Sequence, residues 1–280
     1  MIASRHNPAV RQVRALTHKR ARDQTGLFLV EGIRLVAQAL AIGAPVQELI
    51  VAPELLTSDF ARELVVRSQA TGIPCLDVSP DAFMSLSVRE HAQGLAAVVR
   101  QRWARLAEIE PAQGARWVAL REAQDPGNVG AILRTSDAVG ATGVILLGAS
   151  TDPHDPTAVR ASMGAIFSQR LVRATFAEFV RWASEHSCAV VGAAGVGAID
   201  YRAYRYTAPF ALLMGSEQHG LTAEQQAACT AVVRIPMVGA SDSLNLAVAT
   251  SVILYEAFHQ LDQLDANTSA EASASAAHGR

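Results

Sequence analysis

Trp117-Val-Ala-Leu-Arg-Glu-Ala-Gln-Asp-Pro-Gly-Asn-Val-Gly-Ala-Ile-Leu-Arg134 reads as a short apolar strand, a Pro/Gly turn and the opening of a helix. Asn128 is a natural N-cap there, and a helix starting at that point aims free backbone N–H groups at the mouth of the sheet. Downstream the same alternation repeats. Strands are expected at 117–121, 143–147, 188–193, 209–214 and 232–235, and helices at 129–139, 157–167, 176–186, 222–228 and 244–261. Short apolar strands alternating with helices predict an α/β domain built on a mainly parallel sheet.

Upstream, a helix is expected over 7–22, with Asn7 as its cap, Pro8 in its first turn and Val10, Val13 and Leu16 at helical spacing. Strands at 27–30, 48–51, 73–78 and 95–100, with helices ending near Ala41 and spanning 58–71, make a smaller α/β unit. The expected organisation is residues 1–100, a linker over 101–115 marked by Pro111 and Gly114, a second domain over 116–262, and a disordered tail over 263–280.

Half of the 280 residues are hydrophobic, enough for a sizeable core, and scarce aromatics suit parallel α/β packing. No apolar run is long enough to span a membrane and the N-terminus has no apolar signal region, so a soluble cytoplasmic protein is the expectation. Cys75, Cys188 and Cys229 are far apart, which argues against a disulfide framework or a metal site. The charge distribution is more telling than the net charge of −2. Arg5, Arg11, Arg14, Lys19, Arg20 and Arg22 precede the first acid, Asp23, and Lys19 is the only lysine in the chain. Such an arm can grip RNA phosphates or be a solvated helix face.

Two further stretches concentrate unusual residues. In Leu212-Leu-Met-Gly-Ser-Glu-Gln-His-Gly220 an apolar strand runs into a Gly-bounded loop carrying Glu217. Loops at the C-terminal ends of parallel strands are where ligands bind. Gly215 allows a ligand close to the backbone and Gly220 a tight turn, while Glu217 could also be an acid suited to a helix dipole. In Ile235-Pro-Met-Val-Gly-Ala-Ser-Asp-Ser-Leu-Asn-Leu246, Ser241, Asp242, Ser243 and Asn245 crowd a helix start. Capping explains one of these four, and Asn245, a poor helix former, is expected to bond a neighbouring loop or substrate. Phosphate-loop, zinc-protease and nucleophile-elbow motifs are absent, and Gly192-Ala-Ala-Gly-Val-Gly197 leaves only a weak nucleotide-binding alternative.

These three stretches resemble, in order, the three motifs of the TrmH/SpoU family of RNA 2′-O-ribose methyltransferases, members of the SPOUT superfamily: Asp125 to Thr135, Met214 to Leu221 and Ile235 to Leu246. Arg160-Ala-Ser-Met-Gly-Ala165 resembles a segment that recurs between the first two. Ser4-Arg-His-Asn-Pro8 through Phe28-Leu-Val-Glu-Gly32 is similar to the family's ribosomal-protein-like RNA-binding domain. The resemblance implies a deep C-terminal trefoil knot, a homodimer and S-adenosylmethionine as cofactor. It implies cofactor contacts at Met214, Gly215, Ile235, Met237 and Leu244, and catalytic roles for Asn128, Arg134, Glu217, Ser243 and Asn245. Its substrate would be structured RNA, with 23S ribosomal RNA favoured over transfer RNA; a resistance methyltransferase, a base-methylating relative and a non-catalytic RNA-binding protein are the alternatives.

Overall fold

The computed structural model describes the chain except residues 89, 90, 113, 196, 198, 279 and 280, with side chains described to Asp262. It divides into two compact units: Met1–Arg102 with Val129–Arg134 and Asp152–Ser168, and Trp103–Asn128 with Thr135–Thr151 and Gln169–Arg280. Among the described residues no helix is long and apolar enough to cross a membrane.

In the first unit, α1 (Pro8–Ala15) and α2 (Lys19–Thr25) precede β1 (Leu27–Glu31), α3 (Ile33–Ala41), β2 (Val46–Val51), α4 (Asp59–Ala70), β3 (Cys75–Asp77), α5 (Pro80–Met84) and β4 (Leu95–Arg100). The sheet order is β1-β4-β2-β3, antiparallel about β4 and parallel between β2 and β3. Val10 and Val13 of α1 and Phe83 of α5 pack with Leu29 and Ile50 in one core.

The helix expected over 7–22 is two helices, and Arg22 explains the break. Its Nη1 donates to the carbonyls of Leu16 (3.0 Å) and Thr17 (2.9 Å), satisfying groups that a continuous helix would have paired internally. Its Nε donates to Asp152 at 2.7 Å and its Nη2 to Asp155 at 3.3 Å. At 1% exposure Arg22 cannot contact RNA, which corrects its place in the basic arm. The cause is local: two carboxylates and two carbonyls within reach give a guanidinium partners for most of its donors.

Those carboxylates introduce the segment 152–168, which clusters with the first unit although it lies well down the chain. Here α7 (Pro156–Ala161) stops short of the expected 157–167 helix. Met163 (φ 50°) and Gly164 (φ 99°) take left-handed conformations that no continuous helix accommodates, and a single 3-10 turn follows at Ala165–Phe167. Phe28 packs against His154 (ring centroids 4.6 Å apart) and Phe167 (6.4 Å).

The second unit carries β5 (Arg116–Arg121), α6 (Pro126–Ala138, shared with the first unit), β6 (Gly143–Leu147), β7 (Arg170–Ala174), α8 (Phe176–Glu185), β8 (Ala189–Ala193), β9 (Ile199–Asp200), β10 (Phe210–Met214), α9 (Ala223–Ala227), β11 (Ala231–Arg234) and α10 (Leu246–His278). Its sheet runs β7-β6-β5-β10-β8-β11-β9 with every pairing parallel. β6 and β10 are buried along their whole length, as strands covered on both faces must be. β7, an edge strand, does not show in the sequence pattern because Arg170 and Arg173 interrupt its apolar run.

Of the linker expected over 101–115, the part up to Arg102 clusters with the first unit and the described residues from Trp103 with this one. Leu106, Ile109 and Ala115 are buried with Trp117 and Trp182, and the Trp182 indole donates to the Ile109 carbonyl at 2.8 Å. The backbone of α10 continues helical to His278, through most of the stretch expected to be a disordered tail. Alanine, the strongest helix former, recurs there.

Candidate active site

The strand ends β5, β10 and β11 deliver the three motif loops to one rim of the second unit's sheet. The first corrects the expected cap. Asp125, not Asn128, is the N-cap of α6: its carboxylate accepts from the Asn128 N–H at 2.9 Å, and Pro126 takes the first helical position. Asn128 sits inside the first turn, which leaves its side-chain amide for other partners.

Those partners are the other two motifs. The Glu217 carboxylate accepts from the Gln124 N–H (3.1 Å to Oε2), from the Asp125 N–H (3.4 Å) and from Asn128 Nδ2 (3.3 Å). It therefore places a negative charge at the N-terminus of α6, where the helix dipole favours one. Asn128 Oδ1 in turn accepts from Asn245 Nδ2 at 2.9 Å. Asn245 Oδ1 accepts from the N–H groups of Ala247 (2.9 Å) and Val248 (3.3 Å), so this residue caps α10 instead of lying inside it. Both halves of the Asn245 amide are thus used, one to start a helix and one to bond a neighbouring loop. Glu217, Asn128 and Asn245 form one hydrogen-bonded chain.

The second loop is folded on itself. Gly220 has φ 62° and its N–H donates to the Ser216 carbonyl at 2.9 Å, which is the tight turn expected of it. The loop's own packing also calls for glycine at 215: a Cβ there would run into the Gly220 backbone and the Leu221 nitrogen. Gly215→Ala is expected to lower stability by about 1–3 kcal/mol through overpacking and to weaken cofactor binding; paired thermal melts and calorimetry would measure both.

Beside this loop lies a cavity of about 490 Å³ in the second unit. All five expected cofactor residues line it: Met214, Gly215, Ile235, Met237 and Leu244. Glu217, Ser243 and Asn245 line it too. Ser243 is exposed. Ala193, Ala194 and Gly195 complete one wall, so the glycine-rich stretch after β8 borders this cavity, in keeping with its place after a strand end. Gln124 and Asp125, which anchor Glu217 through their N–H groups, are site residues that side-chain reasoning missed. Arg134 is exposed on α6, six residues beyond Asn128 and about 9 Å along the axis at 1.5 Å per residue. Among the described residues it takes no part in the hydrogen-bonded chain.

Asn245→Ala removes a helix cap and the partner of Asn128 together. A stability loss of about 0.5–2 kcal/mol is expected from the cap alone, with a further fall in turnover as Asn128 and Glu217 lose their alignment. A variant with full kcat despite the stability loss would make Asn245 a cap only.

A family model described as the SpoU rRNA methylase family matches residues 115–255, and one described as an MRM3-like substrate binding domain matches 7–97. A 23S rRNA (uridine(2479)-2′-O)-methyltransferase of Streptomyces viridochromogenes is 35% identical over 88% of this chain and 87% of its own length. The 23S rRNA (guanosine(2553)-2′-O)-methyltransferase RlmP of Bacillus subtilis is 32% identical over 91% of this chain and 97% of its own. Among solved structures, the AdoMet-bound rRNA methyltransferase from Sinorhizobium meliloti superposes with a TM-score of 0.85 at 39% identity, covering 93% of this chain and 97% of that one.

Proposed function

The chain belongs to the SpoU rRNA methylase family, and from that premise we propose that it transfers the methyl group of S-adenosylmethionine to a ribose 2′-hydroxyl of 23S ribosomal RNA. One observation carries the reading. The Glu217–Asn128–Asn245 chain joins all three family motifs at the rim of a cavity lined by every residue expected to hold the cofactor.

The residues present fit that cofactor. The cavity's size lies within the range of small-molecule pockets, about 300–1,000 Å³. Met214, Ile235, Met237 and Leu244 offer apolar surface to an adenosine, and Gly215 and Gly220 line the same cavity with no side chain of their own. When bound, S-adenosylmethionine supplies an electrophilic methyl on a sulfonium.

The protein must prepare the attacking oxygen. A ribose hydroxyl is hardly ionised at neutral pH, so charge developing on it must be stabilised. Arg134 fills that role by holding an RNA phosphate and stabilising the forming alkoxide, while the proton leaves to solvent or a neighbouring group. An arginine stays protonated, which argues against its acting as the base. Asn128 and Glu217 orient the first turn of the helix that carries Arg134, and Ser243 and Asn245 shape the substrate side of the cavity.

The reading includes the family's trefoil knot and a homodimer in which some of these residues serve the partner's site, with the enzyme acting in the cytoplasm. RNA would also be gripped by the first unit, through Arg5, Arg11, Arg14, Lys19 and Arg20. All five are at least partly exposed, and Lys19 is shared with Asp23 (2.5 Å). The test is incubation with labelled S-adenosylmethionine and deproteinised 23S ribosomal RNA, followed by digestion and mass spectrometry. Label on a 2′-O-methyl nucleoside is the expected result; label on a base, or none, would refute the assignment.

A further inference from the structure

The polar side chains on the wall of the cofactor cavity are Ser216, Glu217, Gln218, Asp242, Ser243 and Asn245. Two of these are carboxylates, and among the described residues no Lys, Arg or His lines the cavity. The two acids are placed differently. Glu217 is committed: it accepts from the Gln124 and Asp125 N–H groups and from Asn128 Nδ2, so its charge faces the N-terminus of α6. Asp242, on the loop between β11 and α10, has no hydrogen bond or ion pair among the described residues.

An acid just before a helix often serves as its cap. That explanation fails for Asp242. α10 begins at Leu246, and the Ala247 and Val248 N–H groups are taken by Asn245 Oδ1. What remains is an exposed carboxylate without a partner, on the wall of a cavity that no positive side chain lines.

The ligand brings the opposite sign. S-Adenosylmethionine carries a sulfonium and an ammonium against a single carboxylate, so it is a net cation. Transfer breaks the S–CH3 bond with its electron pair left on sulfur, forms the O–CH3 bond and releases the hydroxyl proton to solvent. The product, S-adenosylhomocysteine, is a zwitterion of nearly the same shape with no net charge. The apolar wall sees almost the same surface in both. A carboxylate distinguishes them, because Coulomb attraction to the lost charge needs no contact of its own.

We propose that Asp242 sets the cavity's preference between cofactor and product, holding S-adenosylmethionine by charge and letting go of S-adenosylhomocysteine once that charge has left with the methyl group. The inference rests on the proposed function for the choice of ligand, and adds to it a residue that governs product release and takes no part in the transfer itself.

The experiment is calorimetry on the full chain with three probes: S-adenosylmethionine, S-adenosylhomocysteine and sinefungin, which has an ammonium on carbon in place of the methyl sulfonium. Asp242→Asn should weaken S-adenosylmethionine and sinefungin about three- to five-fold, the worth of an ion pair open to water, and change S-adenosylhomocysteine by less than about two-fold. The loss should shrink between about 0.02 M and about 0.5 M salt, as screening removes the charge term in the wild type too. Asp242→Glu should keep the preference. Thermal melts establish that each variant is folded. Equal weakening of cofactor and product overturns the proposal, as does an unchanged affinity for all three probes. A loss for S-adenosylmethionine that sinefungin does not share overturns it as well, because the methyl group and not the charge would then be what Asp242 senses. A wild-type protein that binds none of the probes would overturn the reading of the cavity, and this inference with it.

Discussion

Replacing Arg134 by alanine is expected to lower methyl transfer to RNA by about 10²–10³-fold or more, while S-adenosylmethionine still binds. The size follows from the role. Arg134 would supply positive charge where charge develops, and removing one such preorganised donor costs that much in other enzymes. The first turn of α6, the helix that carries Arg134, is bonded by Asp125, Glu217 and Asn245. Arg134→Lys separates the charge from the bidentate geometry. It should recover part of the activity if charge dominates and almost none if a phosphate must be gripped by a planar fork. Turnover near the wild-type level in Arg134→Ala would remove the residue from the mechanism. Cofactor affinity by calorimetry is the control, because the residues lining the cavity do not include Arg134.

Arg22→Met is expected to destabilise the protein by about 3–5 kcal/mol, the usual cost of removing one partner from a buried ion pair. Arg22 and Asp152 are 1% and 3% exposed, so the carboxylate left behind has no access to water. Adding Asp152→Asn should restore part of the loss, since the orphaned charge is then gone. Acidity offers a second check. Burial by itself would raise the Asp152 pKa, but hydrogen bonds from His154 and Arg22 outweigh it and hold the carboxyl well below the usual range. A depressed carboxyl contributes stability that is complete above its unfolded pKa, about 3.9, and is lost as pH falls through the folded value. The gap between wild type and Arg22→Met should therefore be constant near neutrality and narrow in acid. Urea midpoints at neutral and acidic pH would measure it, and a gap that widens in acid would contradict the assignment.

The parallel sheet was legible because its strands are short apolar runs bounded by Gly, Pro and polar loops. β6 and β10 fall within a residue of their expected limits. What escaped were elements whose reason lies elsewhere in the chain. β7 is an edge strand interrupted by arginines. The break between α1 and α2 is stabilised by a guanidinium with a carboxylate partner 130 residues on. No local pattern could have removed Arg22 from the basic arm, because its burial depends on Asp152 and Asp155. At the site, the motif residues were found by type and order, but their connectivity was not: Asn128 read as a cap is a relay, and Asn245 read as a misplaced helix residue is the cap. Gly215 was found from its place after a strand, but the closeness of the chain's own Gly220 backbone could not be read from the sequence.

The hydrogen-bonded relay has a consequence for how the enzyme comes into being. Its links join residues 89 and 117 positions apart, among the more distant pairings in the molecule. Pairings of that span form late, after the loops between them have paid their closure entropy. A growing chain leaving the ribosome has the sheet through β10 before it has Asn245. Until that residue emerges, Asn128 lacks its second partner and α10 lacks its cap. A product ending short of Asn245 would thus carry most of the sheet and the Glu217–Asn128 link but lack the relay's last member.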